Sequence, residues 1–182
     1  MSDGGRAALS PESFDRTVII GNSGAGKTWL AHRLARLFGH PVMELDSAVW
    51  EVSAQGRVER DPASARLTAT AAAAQPRWII EGIYGHLARL ALPRATALLW
   101  LDLPWSECNA GLAARGPWPG AEPAAWTTYR QWAGNYWYRA DRYSFAAHER
   151  LFAGFAGAKL RIPDRRAAGA LLAALTRPGA KS

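Results

Sequence analysis

The chain has one cysteine, two methionines and four histidines among its 182 residues. A single thiol, Cys108, excludes an internal disulfide framework, and so few histidines argue against a zinc site. That usage fits the reducing cytoplasm. No apolar run approaches the ~20 residues that cross a bilayer, which argues against a membrane-spanning segment. Residues 1–15 lack the apolar core of a secretory signal and, with Gly4, Gly5 and Pro11, are expected to form a flexible leader. Residues 177–182 are expected to be a flexible tail. No internal repeat is present.

Lysine is scarce too, occurring only at 27, 159 and 181, so the net charge of +7 is carried almost wholly by arginine. A basic balance suggests an anionic partner. Scattered arginines favour discrete phosphate contacts on small molecules, with nucleic acid as the alternative partner. At 49% hydrophobic and 20% charged, residues 16–176 suffice for one globular domain with a sizeable core.

Short β-branched or apolar runs alternate with helical patterns. Thr17 to Ile20, Val42 to Leu45, Trp78 to Glu81, Ala97 to Leu101 and Lys159 to Ile162 read as strands. Helices are predicted over 26–38, 61–74, 86–92, 104–115, 123–140, 144–152 and 164–175. Gly39 and Pro41 stop the first, Asp61-Pro62 start the second, and Asp164 caps the last. Residues 47–60 read as an irregular, charged excursion, and Gly116 to Gly120 as a breaker cluster. Alternation of this kind predicts an α/β fold with a parallel sheet between helical layers. Right-handed crossovers then gather Gly21, Asp46, Glu81 and Asp102 on the edge where such sheets bind ligands.

Gly21-Asn22-Ser23-Gly24-Ala25-Gly26-Lys27-Thr28 matches G-x-x-x-x-G-K-[ST] at every fixed position, between a predicted strand and a predicted helix. Its glycines let backbone N–H groups turn inward, and the helix adds its positive end to the same anion site. Lys27 is expected to reach the β- and γ-phosphates of a nucleoside triphosphate, and the Thr28 hydroxyl to ligate Mg²⁺. The acids are less decisive. Asp46 either orients a hydroxyl acceptor or caps a turn before Ser47. Glu81 is the preferred metal-assisting acid. Asp102 competes for that role, although Leu103-Pro104 after it also suits a helix cap. Arg115, just before Gly116-Pro117, is where a closing lid would deliver charge to the γ-phosphate. Nine tryptophans are many for this length. Trp126, Tyr129, Trp132, Tyr136 and Trp137 form a helical stripe, read first as core packing and second as a stacking surface. His148 and Cys108 read as structural.

These residues resemble the adenylate-kinase-like branch of P-loop kinases, and most of all small bacterial proteins labelled topology-modulation proteins or AAA-family ATPases. The likeness is carried by Val18 to Gly21 with the loop, Pro41 to Asp46 with Trp50, Trp78 to Tyr84, and Leu99 to Pro104. Trp137 to Asp141, Ser144 to His148, Leu151-Phe152 and Gly157 to Lys159 extend it over most of residues 16–176. The resemblance implies a three-layer P-loop fold with a five-stranded sheet in the order 2-3-1-4-5 and a helical lid after the fourth strand, about 115–152. It implies ATP as phosphoryl donor, Mg²⁺ as cofactor, and a small-molecule acceptor that the resemblance does not name. Glu81-Gly82-Ile83-Tyr84-Gly85 lacks the proline and arginine of the adenylate kinase motif, which argues against a nucleoside monophosphate acceptor. The expected activity is an ATP-dependent phosphotransferase. The alternatives are an ATP-dependent regulator on nucleic acid and a simple NTPase.

Overall fold

In the computed structural model, residues 10–54 and 56–176 are described. The three central strands each carry an apolar run because both their faces are covered. They are β1 (Arg16–Gly21), β5 (Trp78–Gly82) and β6 (Ala97–Leu101); all ten residues of the last two are buried. With β2 (Val42–Glu44) and β7 (Ala158–Ile162) they form one parallel sheet in the order β2-β5-β1-β6-β7. Counting only this sheet's strands along the chain, the order is the expected 2-3-1-4-5.

Alternate residues feed two cores. Val18, Ile20, Ile80, Leu98 and Trp100 face α2 (Leu45–Val49), α3 (Pro62–Ala74) and α4 (Gly85–Ala91). Ile19, Ile79, Leu99 and Leu101 face α1 (Lys27–Phe38), α5 (Trp105–Arg115) and α8 (Arg165–Leu175). Period-two alternation in a buried strand thus builds the three layers.

Three local departures from expectation have physical causes. The excursion after the second strand is an antiparallel hairpin, β3 (Trp50–Ser53) with β4 (Gly56–Glu59). Its valines point outward, Val52 54% and Val58 70% exposed, so no hydrophobic alternation marks it. The expected leader is shorter than fifteen residues: Pro11–Phe14 form a 3-10 turn, and Phe14 is fully buried and stacked on Phe38 at 5.3 Å. Residues 1–9 of that leader and the expected tail, 177–182, lie outside the described residues. Finally, the aromatic helix α6 (Pro123–Gly134) ends six residues early, and turns lead on to α7 (Phe145–Gly154), capped by Ser144. Among the described residues, no helix is long and apolar enough to cross a membrane.

Candidate active site

The loop between β1 and α1 is held from below by α5. Gly24 has φ +80°, and a Cβ there would lie 2.1 Å from the Cys108 carbonyl oxygen. Conversely, a Cβ on Gly111 of α5 would lie 2.2 Å from the Gly24 carbonyl oxygen. Backbone therefore meets backbone, with no side chain between. Asn22 fixes the loop on the other side, accepting from the Ser23 N–H (2.8 Å) and donating to the Ala133 carbonyl of α6 (2.9 Å). The Lys27 ammonium is buried and donates to the Asn22 carbonyl at 3.0 Å. A cavity of about 170 Å³ opens above, lined by Gly24, Gly26, Lys27, Thr28, Asp46 and Arg115 among others. The structure thus brings these sequence-predicted residues around one cavity.

The acids separate clearly. Glu81, at the end of β5, is 1% exposed and accepts a 2.6 Å hydrogen bond from the Thr28 hydroxyl. Burial pushes its pKa above the ordinary carboxylate value, against the pull of Lys27 and the Thr28 bond. Its second oxygen, Oε2, is buried without a hydrogen-bond partner. A buried carboxylate with an unspent lone-pair oxygen beside a threonine hydroxyl fits the outer surroundings of a hydrated magnesium ion. Asp102, the competing acid, is instead paired with Arg161 on β7 (2.7 Å to Nε) and does not line the phosphate cavity. It links neighbouring strand ends rather than meeting Thr28.

Asp46 sits one residue into α2, not at a strand end, because Leu45 turns into the core there. Its carboxylate accepts from the Tyr84 hydroxyl at 3.2 Å, and that hydroxyl accepts from Trp50 Nε1 at 2.6 Å. Burial, then the Asp46 charge, raises the Tyr84 pKa, so the phenol remains a donor. Arg115 closes α5 beside the cavity; its guanidinium lies 3.5 Å from the Tyr129 hydroxyl, which donates to Ser23 Oγ at 2.9 Å.

Arg165 went unnoticed in the sequence. It opens α8, donates to the Gly24 carbonyl (3.0 Å) and lines the cavity. No sequence signal singles it out, since 141 residues separate it from Gly24. The aromatic stripe also divides. Tyr136 is buried, while Tyr129 and Trp132 are stacked at 5.8 Å and line a second cleft of about 550 Å³. Trp50, Tyr84, Trp118 and Tyr143 complete its aromatic walls, and Asp46, Ser23 and Tyr129 belong to both spaces.

His148 underpins this cleft. Its Nε2 lies 3.0 Å from the Ile83 carbonyl and its Nδ1 2.7 Å from the Tyr136 hydroxyl, so a neutral ring satisfies both. Burial chiefly lowers its pKa from 6.5 to about 3. A depressed folded pKa means stability is fully present above the unfolded value and is lost as the pH falls below about 6.5 towards 3. In urea titrations from pH 7.5 to 5, wild type should lose stability with a limiting slope of about 1.4 kcal/mol per pH unit from this group. His148→Gln should be less stable at pH 7.5 and should show a shallower acid slope.

The fold is of the three-layer P-loop type: a parallel α/β sheet with the glycine-rich loop after its first strand and residues of α5, α6 and α8 bordering the site. Among solved structures, the chain is similar in fold to an unliganded sugar kinase from Janibacter sp. HTCC2649, at 17% identity and TM-score 0.50, covering 88% of this chain and 91% of that one. It is likewise similar to a shikimate kinase from Acinetobacter baumannii in complex with shikimate, at 14% identity and TM-score 0.51, covering 91% and 94%. No family model and no curated protein sequence matches the chain.

Proposed function

We propose that the chain is an ATP- and Mg²⁺-dependent phosphotransferase acting on a small molecule with a hydroxyl or phosphate nucleophile, of the adenylate-kinase-like branch. The observation that carries this reading is the pair of spaces joined at Asp46. One is a phosphate cradle; the other is an aromatic cleft deep enough for a second substrate. A bare NTPase has no use for the second space.

Gly21 to Thr28 wrap the triphosphate with inward amides, and Lys27 leaves the Asn22 carbonyl for the β- and γ-phosphate oxygens. Thr28 would hold the magnesium ion, with Glu81 acting through a bound water, and the ion supplies charge neutralisation across those phosphates. Arg115 and Arg165, which both line the phosphate cavity, add positive charge. For a hydroxyl acceptor, Asp46 takes the proton as the acceptor oxygen bonds to the γ-phosphorus. The bond to the β–γ bridging oxygen breaks, giving ADP and a phosphorylated acceptor. Tyr84 holds Asp46 in place for that transfer.

The test is transfer of labelled γ-phosphate to metabolites found by thermal-shift screening. Label ending only in inorganic phosphate would refute the acceptor role. With such an acceptor, Asp46→Asn should lower kcat about 10²–10⁴-fold while Mg·ATP affinity by calorimetry stays within a few-fold of wild type.

A further inference from the structure

The cleft beside Asp46 contains an arginine that the phosphotransferase reading does not use. Arg57, on β4, places its guanidinium carbon 4.2 Å from the Trp50 ring centroid and 3.9 Å from that of Trp118. Tyr129 lies further off, at 5.4 Å. The two indoles make no ring contact with each other among the described residues, so the guanidinium lies between them. Cation–π contact engages the faces of this planar ion and leaves its N–H edge free. Among the described residues, no carbonyl, hydroxyl or carboxylate accepts a hydrogen bond from the Arg57 side chain. Glu59 lines the same cleft without pairing to it. Arg57 thus holds a charge and unspent donors among the residues that line the acceptor's space.

Its position is on the acceptor's side of Asp46, although the outer groove it borders reaches Thr28 and Arg115. Arg57 lines the aromatic cleft and the outer groove beside it, and does not line the cavity around Lys27. The other charged residues of the cleft, Asp46 and Glu59, are acidic and would repel an anion, so Arg57 alone supplies attraction there. Trp132, Tyr84, Tyr129 and Tyr143 offer flat, largely apolar walls to whatever connects the anion to the hydroxyl. Free polyols would leave those walls unused.

On the phosphotransferase reading, we propose that the acceptor is a hydroxyl-bearing molecule with a flat apolar body and a carboxylate or phosphate group, and that Arg57 selects it by receiving that anion edge-on. A guanidinium held rigid on both faces loses little freedom when it binds, and its fork matches two oxygens of such a group.

The test compares three probes by calorimetry on the full chain saturated with Mg·ADP: 4-(hydroxymethyl)benzoate, 4-(hydroxymethyl)phenylphosphonate and neutral 4-(hydroxymethyl)benzamide. At least one anion should bind about 10-fold or more tightly than the amide, the stronger of the two identifying the anion. Arg57→Met should abolish that preference and leave Mg·ATP affinity unchanged. Arg57→Lys, which keeps the charge without the fork, should retain only part of it and covers the case of a poorly folded methionine variant. Equal binding of all three probes, or of none, overturns the proposal. So does an Arg57→Met chain that keeps the anion preference. Because Mg·ATP binding and its dependence on Lys27 are measured on the same preparations, a negative result here is distinguishable from failure of the phosphotransferase reading.

Discussion

Lys27→Ala should cut phosphoryl transfer by at least about 10²–10³-fold, the scale for removing one preorganised charge from a developing transition state. Two effects combine. The ammonium that would follow the γ-phosphate is gone. Glu81, whose raised pKa is partly offset by Lys27, loses that offset and holds its proton more firmly. A protonated Glu81 is a poorer partner for a magnesium-bound water. The fold should survive, because among the described residues the Lys27 ammonium donates only to the Asn22 carbonyl, within the loop itself. Single-turnover transfer of labelled phosphate at saturating ATP checks the rate, and far-ultraviolet circular dichroism checks the fold. Undiminished turnover would refute the cradle's assigned role.

Glu81→Gln should separate stability from activity in opposite directions. Burial holds the folded pKa above 4.5, so this group's contribution is most favourable below the unfolded value and is lost as pH rises through the raised one. At neutral pH, above the ordinary carboxylate value, the raised pKa therefore represents a cost to stability, which the amide removes while still accepting from Thr28. The nucleotide-free variant should melt higher than wild type at pH 7.5. Its transfer rate should fall about 10²-fold at ordinary magnesium concentrations, with part of the loss recovered at high magnesium. A variant that melts lower and transfers normally would show that Glu81 serves only to hold Thr28. In wild type, the magnesium requirement should grow as pH falls, since protonating Glu81 competes with its metal-assisting role.

What could be read from the chain beforehand follows the reach of local rules. The phosphate loop, the five sheet strands and their helices are written in contiguous residues: apolar runs ended by glycine or acid, a proline after a cap, glycine at a helix end. Asp46 and Glu81 could be placed near the loop because crossover handedness fixes which strand ends share an edge, and Arg115 because it ends a helix just before the Gly116-Pro117 break. Asp102 satisfied the same rule and still faces Arg161, since a rule about edges says nothing of side-chain direction. Arg165 reaches Gly24 only through the last crossover, beyond any local pattern. The β3–β4 hairpin escaped notice because its outward valines carry no burial signal; Arg57 could be named there as a candidate ligand contact, but not placed in the wall of the second cleft. Trp126 to Trp137 showed helical spacing, but spacing alone cannot tell a buried face from a cleft wall; Tyr136 took the first role and Trp132 the second.

The direct seating of Gly24 on α5 has a mechanical consequence. Carbonyl against glycine on both sides is a joint with almost no compressible material, so the loop and the helix move as one piece. Arg115 stands one turn beyond Gly111 on that helix. On the proposed function, a displacement of the loop on binding triphosphate would be passed through this joint to α5 and so to the base of Arg115.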